Sequence, residues 1–265
     1  MIRALLLRQL RHQRWVLGGV VVGLLVFEVF LLQLAASFEG GPGIDQLLEM
    51  LPELVNRLVK SQISTASFPA FVAFGFMHPA VLTTGLAIMI LLATTPAGER
   101  EGGQLELFLA RPMTRGTYLR AHLLSLVVAA VVMPLIVLAG VAVGLATIEV
   151  QNELPWWRYA PCALGLATLL LAVGCFALWV SVGARRRGTA VARIVSLLLV
   201  AYVGDTAAKF SELLGPLRWL TPFQYFDPIG TALEPPLPWW QPVVLLTGGL
   251  VFAVLAFRRF ETRDL

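Results

Sequence analysis

Residues 15–36 read WVLGGVVVGLLVFEVFLLQLAA, and Glu28 is the one charged side chain among them. A helix crosses the hydrocarbon core of a bilayer in about 20 residues, so this stretch is long enough to span a membrane. It is also too long for the apolar core of a secretory signal peptide, and no clear cleavage site accompanies it. The sequence therefore predicts a retained first transmembrane helix.

The rest of the chain repeats this pattern. Hydrophobic residues make up 58% of its 265 residues and charged residues 14%, whereas a soluble protein has about 25% charged residues. Further apolar stretches predict an all-α integral membrane protein with six transmembrane helices in a single domain, 1–265. The predicted spans are residues 15–36, 68–95, 121–148, 159–183, 190–204 and 239–257. This composition excludes a soluble enzyme.

Basic side chains predict how the spans are oriented. Of the 20 Lys and Arg residues, 15 flank one side of the predicted spans. They are Arg3, Arg8, Arg11, Arg14, Arg100, Arg111, Arg115, Arg120, Arg185, Arg186, Arg187, Arg193, Arg258, Arg259 and Arg263. Because Lys and Arg are enriched in cytoplasmic loops, both termini are predicted to lie in the cytoplasm, with the chain in the inner (cytoplasmic) cell membrane. Trp156, Trp157 and Trp240 mark the opposite interface.

Segments outside the spans are also predicted to be structured. Residues 1–14 place apolar and basic side chains on different faces, typical of an interfacial helix on the cytoplasmic leaflet. Residues 44–59 have helical periodicity that Pro52 interrupts. The fifth stretch, 190–204, is short for a full crossing, so it either continues into 205–214 or turns back near the outer surface.

Motifs for catalysis or cofactor binding are absent from the sequence. No GxxxxGK[ST] loop is present to cradle phosphates, and no HExxH, CxxC or GxSxG occurs. Cys162 and Cys175 would lie roughly 20 Å apart along a helix, beyond disulfide reach. We therefore expect a protein that is not an enzyme and has no cofactor or metal. No basic stripe alternates with aromatic residues, so no nucleic-acid partner is expected.

Three polar side chains in the apolar stretches are candidates for lining a transport path: Glu28, Gln33 and His78. A charge near the bilayer centre costs about 2.5–3.5 kcal/mol on insertion scales, so Glu28 is expected to face the bundle interior. It either contacts substrate or protons, or is a neutral glutamate hydrogen-bonded to a neighbour such as Gln33. His78 either forms a soft metal contact with Met77 or packs between helices beside a kink at Pro79. We favour the packing interpretation for both.

The loop at 96–120 contains the strongest pattern, residues 99–115, EREGGQLELFLARPMTR. Leu105, Phe108 and Leu109 share one face of a short helix at i, i+3, i+4 spacing. Arg111 and Pro112 end this helix, and Thr114 can cap the next one. Glu99 and Glu101 precede it as anions that can meet basic groups on a partner. The helix either docks into a groove of a soluble protein or rests on lipid, and the spacing favours neither.

This run resembles the cytoplasmic coupling segment of ABC-2 type ABC transporter permeases, which reads roughly ERExGTLELLLSRPVSR. The matching positions are Glu99, Arg100, Glu101, Gly103, Leu105, Glu106, Leu107, Leu109, Arg111, Pro112 and Arg115. The sequence departs from the family at Gln104, where threonine is usual, and at His122, where lysine commonly stands. Residues 217–228, LRWLTPFQYFDP, are similar to the segment before the family's last span.

The resemblance implies the permease subunit of an ABC exporter, which forms the substrate path in the bilayer. It implies a second permease copy, as a homodimer or a close paralogue, and two copies of a separate ATPase subunit. The residues implied in ATPase coupling are Glu99, Arg100, Glu101, Gly103, Leu105, Glu106, Phe108, Leu109, Arg111, Pro112 and Arg115. Residues 205–238 are implied to form short re-entrant helices in the outer leaflet. The alternatives are a specialised ABC permease for copper-site maturation of nitrous oxide reductase and an ion-coupled secondary transporter, for which Glu28 is thin support.

Overall fold

The computed structural model describes residues 14–38, 67–105, 114–149, 154–209, 212–234 and 238–262. Within these ranges the chain forms helices and no strand, and six helices are long and apolar enough to cross a membrane. These six are Trp15–Ser37, Phe68–Ala93, Arg115–Leu145, Trp156–Val182, Arg187–Ala208 and Trp240–Glu261. The predicted all-α membrane fold with six spans is confirmed.

The helices are numbered here along the chain. They are α1 (Arg14–Phe38), α2 (Phe68–Met77), α3 (Pro79–Ala93), α4 (Thr95–Glu101), α5 (Arg115–Leu145), α6 (Ala160–Val182), α7 (Arg187–Ala208), α8 (Pro228–Leu233) and α9 (Trp240–Glu261), with 3₁₀ helices at Trp156–Tyr159, Glu212–Leu220 and Pro222–Tyr225. Helices α2 and α3 together form the second span, so α5, α6, α7 and α9 are the third to sixth spans.

Helix α6 is the centre of the bundle, and it packs against α3, α5 and α9. Small residues let these helices approach closely. Gly174 of α6 faces Met89 and Leu126, and Gly249 of α9 lies against Ala172. Such contacts are typical of membrane bundles, in which close packing replaces the hydrophobic drive that water provides elsewhere. The core of the protein therefore lies around the fourth span.

Helices α1, α7 and α9 expose rows of large apolar side chains on the outside of the bundle. Val26 of α1 is 63% exposed, Leu199 of α7 is 59% exposed and Leu250 of α9 is 65% exposed. A helix that is apolar on every face suits a membrane span, because lipid tails cover the sides that protein does not. These faces form the surface that the bundle presents within the bilayer.

The two ends of the bundle differ in chemistry, and we name them after their side chains. Helix α6 begins after Trp156 and Trp157, which are 50% and 57% exposed, and these mark the aromatic end. It finishes beside Arg185 and Arg186, both exposed, and these mark the basic end. The ends of α3 and α9 and the starts of α5 and α7 also lie at the basic end, as their hydrogen bonds to one another show.

The second span is broken at His78. Pro79 has no N–H and cannot donate to the carbonyl of Gly75, so the N–H of His78 donates to that carbonyl instead, at 3.2 Å. The Nδ1 atom of His78 accepts a hydrogen bond from the N–H of Ala80 at 3.2 Å and caps α3. The kink predicted at Pro79 is confirmed.

The fifth span is longer than the predicted 190–204, because α7 extends over Arg187–Ala208. Of the two predicted alternatives, the helix continues past residue 204, but only to Ala208, and the 3₁₀ helix Glu212–Leu220 follows as a separate element. The side chain of Asp205 is buried, but Lys209 Nζ lies 3.2 Å from its Oδ2 and Thr221 Oγ1 donates to its Oδ1 at 3.0 Å. Because this charge is paired, the helix continues through it.

After α7, the two later 3₁₀ helices and α8 lead the chain to α9 along the aromatic end. That these short elements re-enter the outer leaflet stays a prediction. The predicted interfacial helix at 1–14, apart from Arg14, lies outside the described residues. The predicted helix at 44–59 also lies outside them.

Candidate functional site

The candidate coupling segment begins with α4, which extends the second span past a break at Thr94. Pro96 stands in the first turn of α4, where a helix does not need its N–H. Gly103, just beyond the helix, has a φ of 67°, in the left-handed region that favours glycine. Helix α4 thereby holds Glu99 and Arg100 against the basic end of the bundle.

Arg100 binds the end of α6. Its Nη1 donates to the carbonyl oxygens of Val182 and Ala184, each at 3.4 Å. The last carbonyls of a helix lack donors within the helix and carry the negative end of its dipole, so a guanidinium stabilises them. Arg100 therefore connects α4 to the fourth span.

Arg187, the first residue of α7, makes the reciprocal contact with the end of α3. Its Nη2 donates to the carbonyl of Leu91 at 3.2 Å, and its Nε donates to Thr94 Oγ1 at 3.3 Å. Its backbone N–H donates to Glu101 Oε2 at 2.9 Å, which places an anion at the N-terminus of α7. We call Arg100, Glu101 and Arg187 the arginine clamp, and it joins the basic ends of the second, fourth and fifth spans.

Glu99 faces the third span. Its Oε2 accepts a hydrogen bond from Tyr118 Oη at 2.5 Å and lies 3.8 Å from His122 Nε2. Tyr118 is fully buried and stacks on Phe260 of α9, with 5.6 Å between the ring centroids. His122, where the sequence departs from the family's usual lysine, therefore lies beside the first acidic residue of the segment.

Arg115 opens the third span and binds the end of the sixth. Its Nη1 donates to the carbonyl oxygens of Phe260 and Glu261 at 3.4 and 3.2 Å. Thr114 stands just before it, and its Oγ1 accepts a hydrogen bond from the N–H of Thr117 at 3.1 Å. The predicted N-cap at Thr114 is confirmed, and it satisfies one of the free N–H groups at the start of α5.

Several of the predicted coupling residues are engaged within the chain itself. Glu99 and Glu101 were expected to meet basic groups on a partner, but each accepts a hydrogen bond from its own bundle. Leu105 is 2% exposed and belongs to the apolar core, so its side chain is not on an exposed docking face. The remaining residues of the segment, Glu106, Phe108, Leu109, Arg111 and Pro112, lie outside the described residues.

Glu28 lies in a tight space between α1, α2 and α5. Its side chain is fully buried. A Cβ added at Gly75 would lie 2.8 Å from Oε2 of Glu28, and a Cβ added at Gly140 would lie 2.6 Å from Cβ of Glu28. Within the described part of the chain, neither carboxyl oxygen has a hydrogen-bond partner. Two glycines thus make room for a carboxyl group inside the bundle.

The other two candidate path residues lie in different surroundings. Gln33 is on the exposed face of α1, and it does not provide the hydrogen bond expected for Glu28. His78 lies beside the rings of Phe27 and Phe74, with centroids 4.8 and 5.7 Å away, which agrees with helix packing. That Glu28, Gln33 and His78 line a transport path stays a prediction.

Enlarging Gly140 is expected to separate α1 from α5. Gly140→Val should lower the free energy of unfolding by about 1–3 kcal/mol, because overpacking a close helix contact forces the backbones apart. Thermal unfolding of the purified protein in detergent measures the change. Gly23→Val is the matched control, since a Cβ at Gly23 of α1 would meet nothing within 4 Å. Equal unfolding temperatures for the two variants would contradict this packing.

Among the described residues, no group of three or more His, Cys, Asp or Glu side chains could hold a metal ion. No curated protein matches the sequence. The family model described as ABC-2 family transporter protein matches residues 7–265, nearly the whole chain. With its six membrane-spanning helices, the chain is a multi-pass membrane protein that belongs to the ABC-2 family of transporter proteins.

Proposed function

We propose that this chain is the permease subunit of an ABC exporter and that a separate ATPase subunit supplies the energy. The observation that carries the proposal is the arginine clamp together with Glu99. These groups attach α4 to the third, fourth and fifth spans by hydrogen bonds. A force applied to the segment that follows α4 would therefore reach several spans together, as coupling through rigid packed elements requires.

The proposed docking element is the segment 106–113, with Phe108 and Leu109 as its apolar contacts. Leu105, just before it, is buried in the bundle and anchors the start of the segment. Apolar side chains that follow a fixed anchor can enter a groove on a soluble partner without losing their attachment to the membrane domain. The ATPase would then bind beneath the basic end.

The proposed assembly contains two permease copies and two ATPase subunits. The exposed apolar faces of α1, α7 and α9 offer surface for a second copy as well as for lipid. Two-fold symmetric dimers are by far the commonest closed assemblies of identical chains. In the proposed orientation the basic end is cytoplasmic, because most Lys and Arg residues lie there.

The purified chain alone is expected to hydrolyse no ATP, because its sequence contains no phosphate-cradling GxxxxGK[ST] loop. The measurement is phosphate release by a permease preparation that mass spectrometry shows to be free of any ATPase. A tagged permease purified gently from its native membrane should bring an ABC ATPase with it. ATP hydrolysis by the isolated chain, or failure to recover an ATPase, would refute the division of labour.

Labelling of introduced cysteines tests the proposed orientation. Ser61→Cys and Gln241→Cys should react with a membrane-impermeant maleimide from outside intact cells, and Gly188→Cys should not. Position 188 is exposed, and a Cβ there would meet nothing within 4 Å, so the substitution is tolerated. The native Cys162 and Cys175 are buried and add little background. Labelling at residue 188 in intact cells would reverse the orientation.

A further inference from the structure

A cleft opens along the side of the bundle between α6, α7 and α9. Near the basic end it has a volume of about 500 Å³, with Trp179, Arg193 and Arg259 in its lining. Toward the aromatic end it continues as a second chamber of about 400 Å³ that includes Phe176 and Phe252. Leu197 of α7 lines both chambers, so they are neighbours along the same side of the bundle, and we refer to the two together as the cleft.

We call the chamber near the basic end the lower chamber and the one toward the aromatic end the upper chamber. The lower chamber is lined by basic side chains. Arg193 of α7 and Arg259 of α9 are both exposed, and they stand on opposite walls. Among the described residues that line the two chambers, none has an acidic side chain. In the described part of the chain, neither arginine has a carboxylate partner. Arg193 lies near the start of the fifth span and Arg259 near the end of the sixth. Two guanidinium groups at this end of the bundle are placed to attract an anionic lipid head group.

Arg259 is held in place by two features of α6. Its Cζ lies 5.6 Å from the centre of the Trp179 ring, a cation–π contact. A Cβ added at Gly183 would collide with the guanidinium, so the missing side chain of this glycine is what makes room for it. The lower chamber thus has Arg259, in contact with Trp179, on one wall and Arg193 on the other.

The upper chamber is apolar and suits a hydrocarbon chain. Phe176, Trp179 and Phe252 form an aromatic cluster at the junction of the two chambers, with ring centroids 5.2 to 6.2 Å apart. Val244 and Leu245 of α9 continue the wall above them. Each chamber has a volume typical of small-molecule sites, about 300–1,000 Å³. The cleft therefore changes from cationic to apolar along its length, as an amphiphile does.

We propose that this cleft binds an anionic phospholipid of the leaflet at the basic end. Its phosphate lies between Arg193 and Arg259, and one acyl chain runs past Leu197 into the upper chamber. Basic pockets between transmembrane helices are known to select anionic head groups, and the charge pattern here matches that chemistry. Because α7 and α9 form its two walls, the lipid would bridge the fifth and sixth spans. The site does not depend on an ATPase partner.

The experiment is native mass spectrometry of the full-length chain titrated with dioleoyl phosphatidylglycerol, with dioleoyl phosphatidylcholine as the zwitterionic comparison. Arg193→Gln and Arg259→Gln should each weaken binding of phosphatidylglycerol about fivefold, and the double variant about 25-fold. Phosphatidylcholine binding should not change. Arg185→Gln, which removes an exposed arginine outside the cleft, is the matched control and should bind as the wild type does.

A second variant tests the site without changing any charge. Gly183→Ala should displace the guanidinium of Arg259 and weaken phosphatidylglycerol binding. Gly188→Ala is the control, because a Cβ there has open space around it, and it should not weaken binding. The φ of Gly183 is −79°, so alanine is compatible with the backbone there. Equal binding of phosphatidylglycerol by the wild type and the double arginine variant would overturn the proposal. So would full competition by inorganic phosphate, or a disulfide between two copies through Ser196→Cys, which would place a second chain over the cleft.

Discussion

Phe108→Asp is expected to abolish recovery of the ATPase with the permease and to abolish ATP-driven transport, while the membrane bundle stays folded. The substitution removes an aromatic contact worth about 1.5–3 kcal/mol when buried. It also places a carboxylate where docking would strip it of water, which adds a desolvation penalty. Phe108 follows the buried Leu105, so the anchor of the segment is untouched. The measurement is co-purification of the ATPase at matched permease expression.

Gln104→Asp is the matched control for this experiment. It introduces the same charge four positions earlier in the same segment, at an exposed side chain. It should leave ATPase recovery unchanged, and both variants should unfold at the temperature of the wild type. If Phe108→Asp retains the ATPase and the transport activity, the helix rests on lipid instead and another surface docks the partner.

Removing both arginines of the clamp is expected to loosen the basic end of the bundle. Arg100→Ala removes the hydrogen bonds of its Nη1 to the carbonyls of Val182 and Ala184, and Arg187→Ala removes the one from its Nη2 to Leu91. Each loss should lower the free energy of unfolding by about 1.5 kcal/mol, the lower end for a hydrogen bond to a charged group, because both side chains are half-buried. The double variant should therefore lose about 3 kcal/mol, measured by thermal or denaturant unfolding in detergent.

The control for the clamp is the double variant Arg185→Ala and Arg186→Ala, which removes the same charge from the same end at two exposed positions. It should unfold as the wild type does. Hydrogen exchange adds a second readout, since Glu101→Gln weakens the acceptor for the N–H of Arg187 and should speed exchange in the first turn of α7. A clamp variant as stable as this control would mean that the hydrogen bonds contribute nothing to holding the spans together.

The sequence was sufficient to predict the spans, because a helix in lipid must satisfy its own backbone and must be apolar for about 20 residues. It was less reliable where charges interrupt that pattern. The predicted fifth span, 190–204, stops just before Asp205, whereas α7 continues to Ala208. Asp205 is paired with Lys209 and also accepts a hydrogen bond from Thr221, which offsets the cost of its charge, and the contact with Thr221 depends on how the chain folds back. A hydropathy profile does not show that Thr221, 16 residues away in the sequence, pairs with Asp205.

The contacts of the coupling segment could not be predicted for a related reason. Arg100 and Arg187 are 87 positions apart, and the pattern of neither stretch indicates the other. The acidic residues of the segment, Glu99 and Glu101, were expected to meet a partner because they precede a short helix, and their sequence does not show that Tyr118 and Arg187 hold them. Glu28 lies inside the bundle as expected, but the two glycines that make room for it, Gly75 and Gly140, come from two other helices and were not predicted. Local patterns predict elements, whereas these sites depend on how the elements pack.

The break at His78 divides the second span into two helices, α2 and α3, instead of one continuous helix. Helix α2 packs against α1 and α8, whereas α3 packs against α5 and α6. Bending between α2 and α3 breaks no hydrogen bond within either helix, because Pro79 has no N–H to donate across the break. In the proposed coupling, a displacement delivered through α4 to α3 can thus change the angle at His78 while α2 keeps its contacts with α1 and α8.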